Sequence, residues 1–129
     1  MIVAVGIDMI EVERVRSALE RHPQRFIERC FHPAELEELA GRSDLAPGLA
    51  ARFAAKEAFQ KIWHQPLSWR DAWVEKDGPK PVMSLSPALR KAFEDEGLVC
   101  HLSLTHSRQH AAAVVVLERS SAGVTEGPA

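Results

Sequence analysis

Asp8, Glu57 with Lys61 four residues on, Arg52 ahead of them and His106 are the groups in this sequence whose types suit work on phosphate. Magnesium takes hard oxygen donors, typically one or two carboxylates with water and substrate phosphate completing the shell. Asp8 and Glu57 supply such a pair if the segment ending at residue 8 meets the helix that carries residue 57. Each group also has a plainer use. Asp8 stands just ahead of a helical pattern, where a carboxylate caps free N–H groups. Glu57 and Lys61 at i and i+4 are the commonest stabilising pair on a solvated helix. Ala54, Ala55 and Ala58 surround Glu57 with small residues, which suits a helix packed closely against something, and Phe53, Glu57 and Lys61 form one row. His106 and His110 have the spacing of a metal pair on a helix, but they flank SRQ between two strand-like stretches, where that spacing does not bring them together. His106 alone, at an exposed hairpin tip, could meet an anion.

The elements that must position these groups follow from periodicity. Residues 2–8 are β-branched and apolar enough for a buried strand, with Gly6 marking a bulge or a close backbone approach. From 9 to about 21 the positions Val12, Val15 and Leu19 recur at helical spacing, and Pro23 ends that helix. Its outer face carries Arg14 and Arg21, seven residues apart and nearly eclipsed, with Arg16 and Arg25 nearby. Residues 33–40 read as a short acidic helix, RSDLAPG as a loop, and 49–63 as the central helix, free of Gly and Pro. Residues 69–75, 82–86, 99–105 and 111–117 read as strands and 87–96 as a helix, with hairpin-like links at DGPKP and HSRQH. The fold class is α+β, a small mixed sheet packed on a long central helix.

A chain of 129 residues with 46% hydrophobic content builds one core. Residues 1–118 are expected to form a single domain and 119–129 a flexible tail. The net charge of -2 argues against a general nucleic-acid binder, which needs a basic excess. The run MIVAVGIDMI is cut by Gly6 and Asp8 and is far short of the ~20 residues that span a bilayer, so neither signal nor membrane anchor is expected. Cys30 and Cys100 lack ligand spacing and read as buried free thiols in a reducing cytoplasm. No glycine-rich phosphate loop is present, so a bound phosphate would be held by a metal and basic side chains.

Taken together, three segments resemble the signatures of the holo-acyl-carrier-protein synthase family of 4'-phosphopantetheinyl transferases. GIDMIEVERV, with Asp8 and Arg14, resembles the first; RFAAKEAFQKI, with Arg52, Lys56, Glu57 and Lys61, the second; LSLTHSRQHAAAVVVLE, with Ser103 and His106, the third. The resemblance implies the family's fold. It also implies transfer of phosphopantetheine from coenzyme A to a serine of an acyl carrier protein, with Mg2+ held by Asp8 and Glu57. Lys61, Arg52 and His106 would hold the coenzyme's phosphates, and Asp8, Glu57 and Lys61 would form the catalytic set. The serine proton would pass to Glu57 or to a metal-held water. An acidic carrier would dock on Arg14 and Arg21, and the chain would assemble as a homotrimer with sites between subunits. Two segments depart from the family pattern: Ile62 to Pro66 stand where a Gly-Thr-Gly type loop is usual, and Gly78-Pro79-Lys80-Pro81 replaces a shorter Gly-x-Pro turn. The same groups would also suit a magnesium phosphohydrolase, or a carrier-binding module that no longer transfers.

Overall fold

A computed structural model describes residues 1–120, so the expected tail lies almost wholly outside the described residues. The chain runs β1 (Ile2–Glu11), α1 (Val12–Arg21), α2 (Pro23–Cys30), α3 (Pro33–Leu39), α4 (Ala46–Ile62), β2 (Ala72–Asp77), β3 (Lys80–Leu85), α5 (Pro87–Glu96), β4 (Leu98–His106) and β5 (His110–Arg119). The α+β class holds. The small sheet is two antiparallel pieces, with no parallel pairing among the described residues: a three-stranded sheet in the order β1-β5-β4 and a ribbon of β2 and β3.

β1 runs three residues past the expected end, because Met9 and Ile10 keep the outward and inward alternation of a strand and Glu11 still pairs with His110. Asp8 therefore lies inside the strand, opposite Ala113, and caps nothing. The helix starts at Val12, whose N–H donates to Gln109 O at 2.8 Å. Pro23 both ends α1 and opens α2, where a proline's missing N–H costs nothing. The helix α2 was not foreseen from the sequence. Likewise α4 begins ahead of residue 49, since Pro47 occupies its first turn and Asp44 Oδ1 accepts from Ala46 N at 3.2 Å. The only register shift in β1 lies between Ile2 and Ala4, so Gly6 marks no bulge.

The core lies between α4 and the inner face of the sheet. Ala50, Ala51, Ala54, Ala55 and Ala58 of α4 are all buried, and Ala111, Ala113, Val115 and Leu117 of β5 meet that layer. Alanine on the helix permits close approach, while Phe59, Trp63 and Phe93 fill the far end, Trp63 stacking on Phe93 at 5.1 Å. Each large side chain buried there contributes roughly 1.5–3 kcal/mol. Cys30 is buried, and burial pushes the half-buried Cys100 thiol up to about 12. Among the described residues nothing covers the outer face of β1: Val5, Ile7 and Met9 are exposed at 57%, 64% and 67%.

One ionic group is fully inside. Lys56 Nζ meets Glu35 Oε1 at 2.5 Å, donates to Cys30 O at 2.7 Å and lies over the Phe31 ring. Glu35 in turn accepts from His32 N and Val74 N, each at 3.0 Å. Burial pushes the Lys56 ammonium below its ordinary range, against the pull of Glu35. Because every donor and acceptor faces a partner, the pair ties α4 to α3 and β2.

Candidate active site

In a strand, residues 6, 8 and 10 of β1 face the same side, and that side is toward α4. The helix crosses β1 where Gly6 offers no side chain, so its next turn stands over Asp8. Lys61 Nζ donates to Asp8 Oδ1 at 2.8 Å and to the backbone oxygen of Ile7 at 3.0 Å. The Asp8 side chain is only 14% exposed, whereas Lys61 keeps 54%. Glu57, one turn earlier, is half-buried. Its carboxyl is pushed above the ordinary carboxylate range by burial first and then by the negative charge of Asp8, against the pull of Lys61 and Arg14. The expected meeting of sheet edge and helix thus takes place, with Arg14 of α1 close enough to be felt.

Two carboxylates that disfavour each other's charge, with an amine beside them, form a set of hard oxygen donors suited to a divalent cation. Among the described residues no group of three or more His, Cys, Asp or Glu could hold a metal. The donors would therefore suit an ion that keeps water and takes substrate phosphate, as Mg2+ does.

Two of the expected phosphate ligands are not beside this pair within the chain. Arg52 lies five residues before Glu57, about 140° around the helix. It is 5% exposed, and its guanidinium donates to Glu38 Oε2 at 3.1 Å and Gly48 O at 3.3 Å. Within the chain these contacts brace α4 on α3, while the Arg52 Nε is buried without a partner among the described residues. His106 ends β4, exposed, opposite Ala111, which is opposite Ile10. It stands two strands away, about 10 Å across the sheet. Lys56, part of the same signature, is the buried anchor described above. No sequence pattern distinguishes it from Lys61; only the register of α4 against Glu35 and Asp8 does.

Beside the pair, Ile10, Phe26 and Phe53 floor a groove of about 470 Å³ whose rim carries Arg14 and Arg21 together with Glu11 and Glu13. Neither arginine makes an ion pair among the described residues, whereas Arg16 is held by Glu13 and Asp44, each at 2.7 Å. A second groove shares Phe26 and is lined by Arg25, Arg29 and Trp69. Arg29 had no motif to single it out; α2 brings it there. The two altered loops are well held. Trp63 anchors the one after α4, where His64 also meets Glu96 at 3.0 Å. Gly78, with φ of 63°, makes a two-residue turn with Pro79 that closes on the Asp77–Lys80 pair.

Residues 4–115 match the family model of the 4'-phosphopantetheinyl transferase superfamily. A holo-[acyl-carrier-protein] synthase of Deinococcus deserti is 52% identical over 126 residues, covering 92% of this chain and 98% of the relative. The crystal structure of the synthase from Neisseria meningitidis superposes with a TM-score of 0.82 at 32% identity, over 92% of this chain and 99% of that one. The Bacillus anthracis synthase, solved in complex with CoA (3',5'-ADP), gives 0.77 at 35% identity, over 93% and 99%.

Proposed function

This chain belongs to the 4'-phosphopantetheinyl transferase superfamily, and from that premise we propose a magnesium-dependent holo-[acyl-carrier-protein] synthase that moves 4'-phosphopantetheine from coenzyme A to a carrier serine. The observation that carries the reading is the convergence of Asp8, Lys61 and Glu57 at the crossing of β1 and α4. Asp8 and Glu57 would hold Mg2+, which when bound supplies positive charge to the diphosphate of coenzyme A. Lys61, half out in solvent beside them, neutralises the phosphate that departs with adenosine 3',5'-bisphosphate. The serine Oγ attacks the pantetheine-side phosphorus, and the bond from that phosphorus to the oxygen of the adenosine-side phosphate breaks. Its proton would pass to Glu57 or to a water held by the metal.

The groove would receive the carrier: Arg14 and Arg21, which have no ion-pair partner among the described residues, would meet acidic side chains, although Glu11 and Glu13 line it as well, and its apolar floor would take an amphipathic helix. His106, too far across the sheet to serve its own Asp8, would act on the coenzyme's phosphates in a neighbouring copy's site. That requires a homotrimer joined through the outer face of the sheet, where Val5, Ile7 and Met9 lie bare. No helix among the described residues is long and apolar enough to cross a membrane; together with the free thiols this supports a cytoplasmic enzyme.

Intact-mass analysis of an apo acyl carrier protein with this protein, coenzyme A and Mg2+, against an EDTA control, tests the reading. A metal-dependent gain of about 340 Da on the carrier is expected. Free phosphopantetheine without that gain would point to a hydrolase. An unmodified carrier held in a stable complex would point to a binding module.

A further inference from the structure

Three glycines in the described residues have positive φ, and Gly6 is not among them. Its backbone would suit any residue, so the glycine answers to space. A β-carbon placed there would lie 2.2 Å from Ala58 O, 3.0 Å from Ala58 C and 3.2 Å from Ile62 Cγ2, where ordinary contact begins at 3.4 Å. Ala58 O is backbone one turn before the end of α4 and cannot yield alone; helix or strand must move by about 1 Å.

The residues on either side of this contact form the site. Gly6 and Asp8 face the same side of β1, while Ala58 and Ile62 each follow a site residue, Glu57 and Lys61. Lys61 also spans the gap, donating both to Asp8 and to Ile7 O. Lifting α4, or peeling β1 from β5, changes the distance from Asp8 to Glu57 in either case. Resting on the metal-dependent reading above, we infer that Gly6 is a positioning residue: its contact with Ala58 sets the separation of Asp8 and Glu57, and so the affinity and selectivity for Mg2+. Magnesium demands near-ideal octahedral geometry at about 2.0–2.1 Å, whereas calcium accepts irregular sites at about 2.3–2.6 Å, so a widened pair penalises the smaller ion more.

Gly48 supplies the control. The atoms nearest a β-carbon there belong to the Leu39 side chain, its two methyl ends at 2.6 and 3.1 Å, on the part of α4 remote from Glu57. Calorimetric titration of Mg2+ and of Ca2+, with coenzyme A present, is made on the wild type, Gly6→Ala and Gly48→Ala, with a thermal melt of each. Gly6→Ala should weaken Mg2+ about tenfold or more and Ca2+ less than about threefold, with the KM for carrier protein unchanged. Gly48→Ala should lower the melting temperature and leave Mg2+ binding as it was. A folded Gly6→Ala protein with wild-type Mg2+ affinity, or with equal losses of both ions, overturns the inference. If Gly6→Ala fails to fold, Ile62→Ala trims the side chain that lies against Gly6 and lets the same crossing shift; a changed ratio of Mg2+ to Ca2+ affinity supports the inference, and unchanged binding of both ions overturns it. A wild type that neither takes up Mg2+ nor transfers overturns the metal-dependent reading itself, an outcome distinct from failure of the variants alone.

Discussion

Glu57 carries two demands that pull its charge in opposite directions. Metal binding and proton uptake need the carboxylate, while burial and Asp8 disfavour it. With a folded-state pKa above the ordinary 4.5, the stability tied to its protonation is complete below that value and is lost as pH rises through the raised one. At neutral pH and without metal, the ionised side chain is thus a local burden on the fold. Glu57→Gln should hold or raise the melting temperature at pH 7 in EDTA while transfer falls about 100-fold or more; a destabilised variant, or one with unchanged transfer, would contradict these assigned roles. The candidates Asp8, Glu57 and Lys61 could be picked from the sequence because their residue types suit one chemistry. For Arg52 residue type alone did not give the placement: within the chain it meets Glu38, not the Asp8–Glu57 pair.

At the scale of elements, α4 is held from both sides, by Gly6 against its backbone and by Glu35 against Lys56. Removing one partner of the buried pair leaves a charge inside with nothing to meet it. Lys56→Met should therefore cost about 3–5 kcal/mol in urea denaturation, with Glu35→Leu added recovering much of the loss in spite of the two backbone N–H groups it strands. A single-variant cost below about 1 kcal/mol would mean the pair is not an anchor. On α1, Arg21 faces the groove away from Glu57, whereas Arg14 influences Glu57 directly. Arg21→Glu should raise the KM for carrier protein about tenfold with kcat nearly unchanged, and Arg14→Glu should lower kcat as well. Equal effects from both would refute the separation. Periodicity located α3, α5 and the middle of α4 well, since Pro, Gly and apolar spacing act locally; α2 and the extension of β1 to Glu11 depended on partners, His110 above all, that no local pattern names.

For the whole molecule, the bare outer face of the sheet matters most. Exposed Val5, Ile7 and Met9 form a stripe that a lone chain leaves in water. If the proposed trimer forms through this face, Ile7→Lys should shift sedimentation from trimer to monomer and reduce transfer, because His106 would no longer reach a neighbour's site; an unchanged trimer would place the interface elsewhere. By itself the sequence determined the α+β class and offered three segments whose residue types suit the proposed chemistry. Strand alternation, helical spacing and hard-oxygen donors are properties of residue type and order, readable without coordinates. The tertiary structure decided which members of those segments meet. Asp8 and Lys61 are 53 residues apart in the chain and 2.8 Å apart in space. That meeting depends on where α4 crosses β1, beside Gly6, where a β-carbon would strike the helix backbone at Ala58 O.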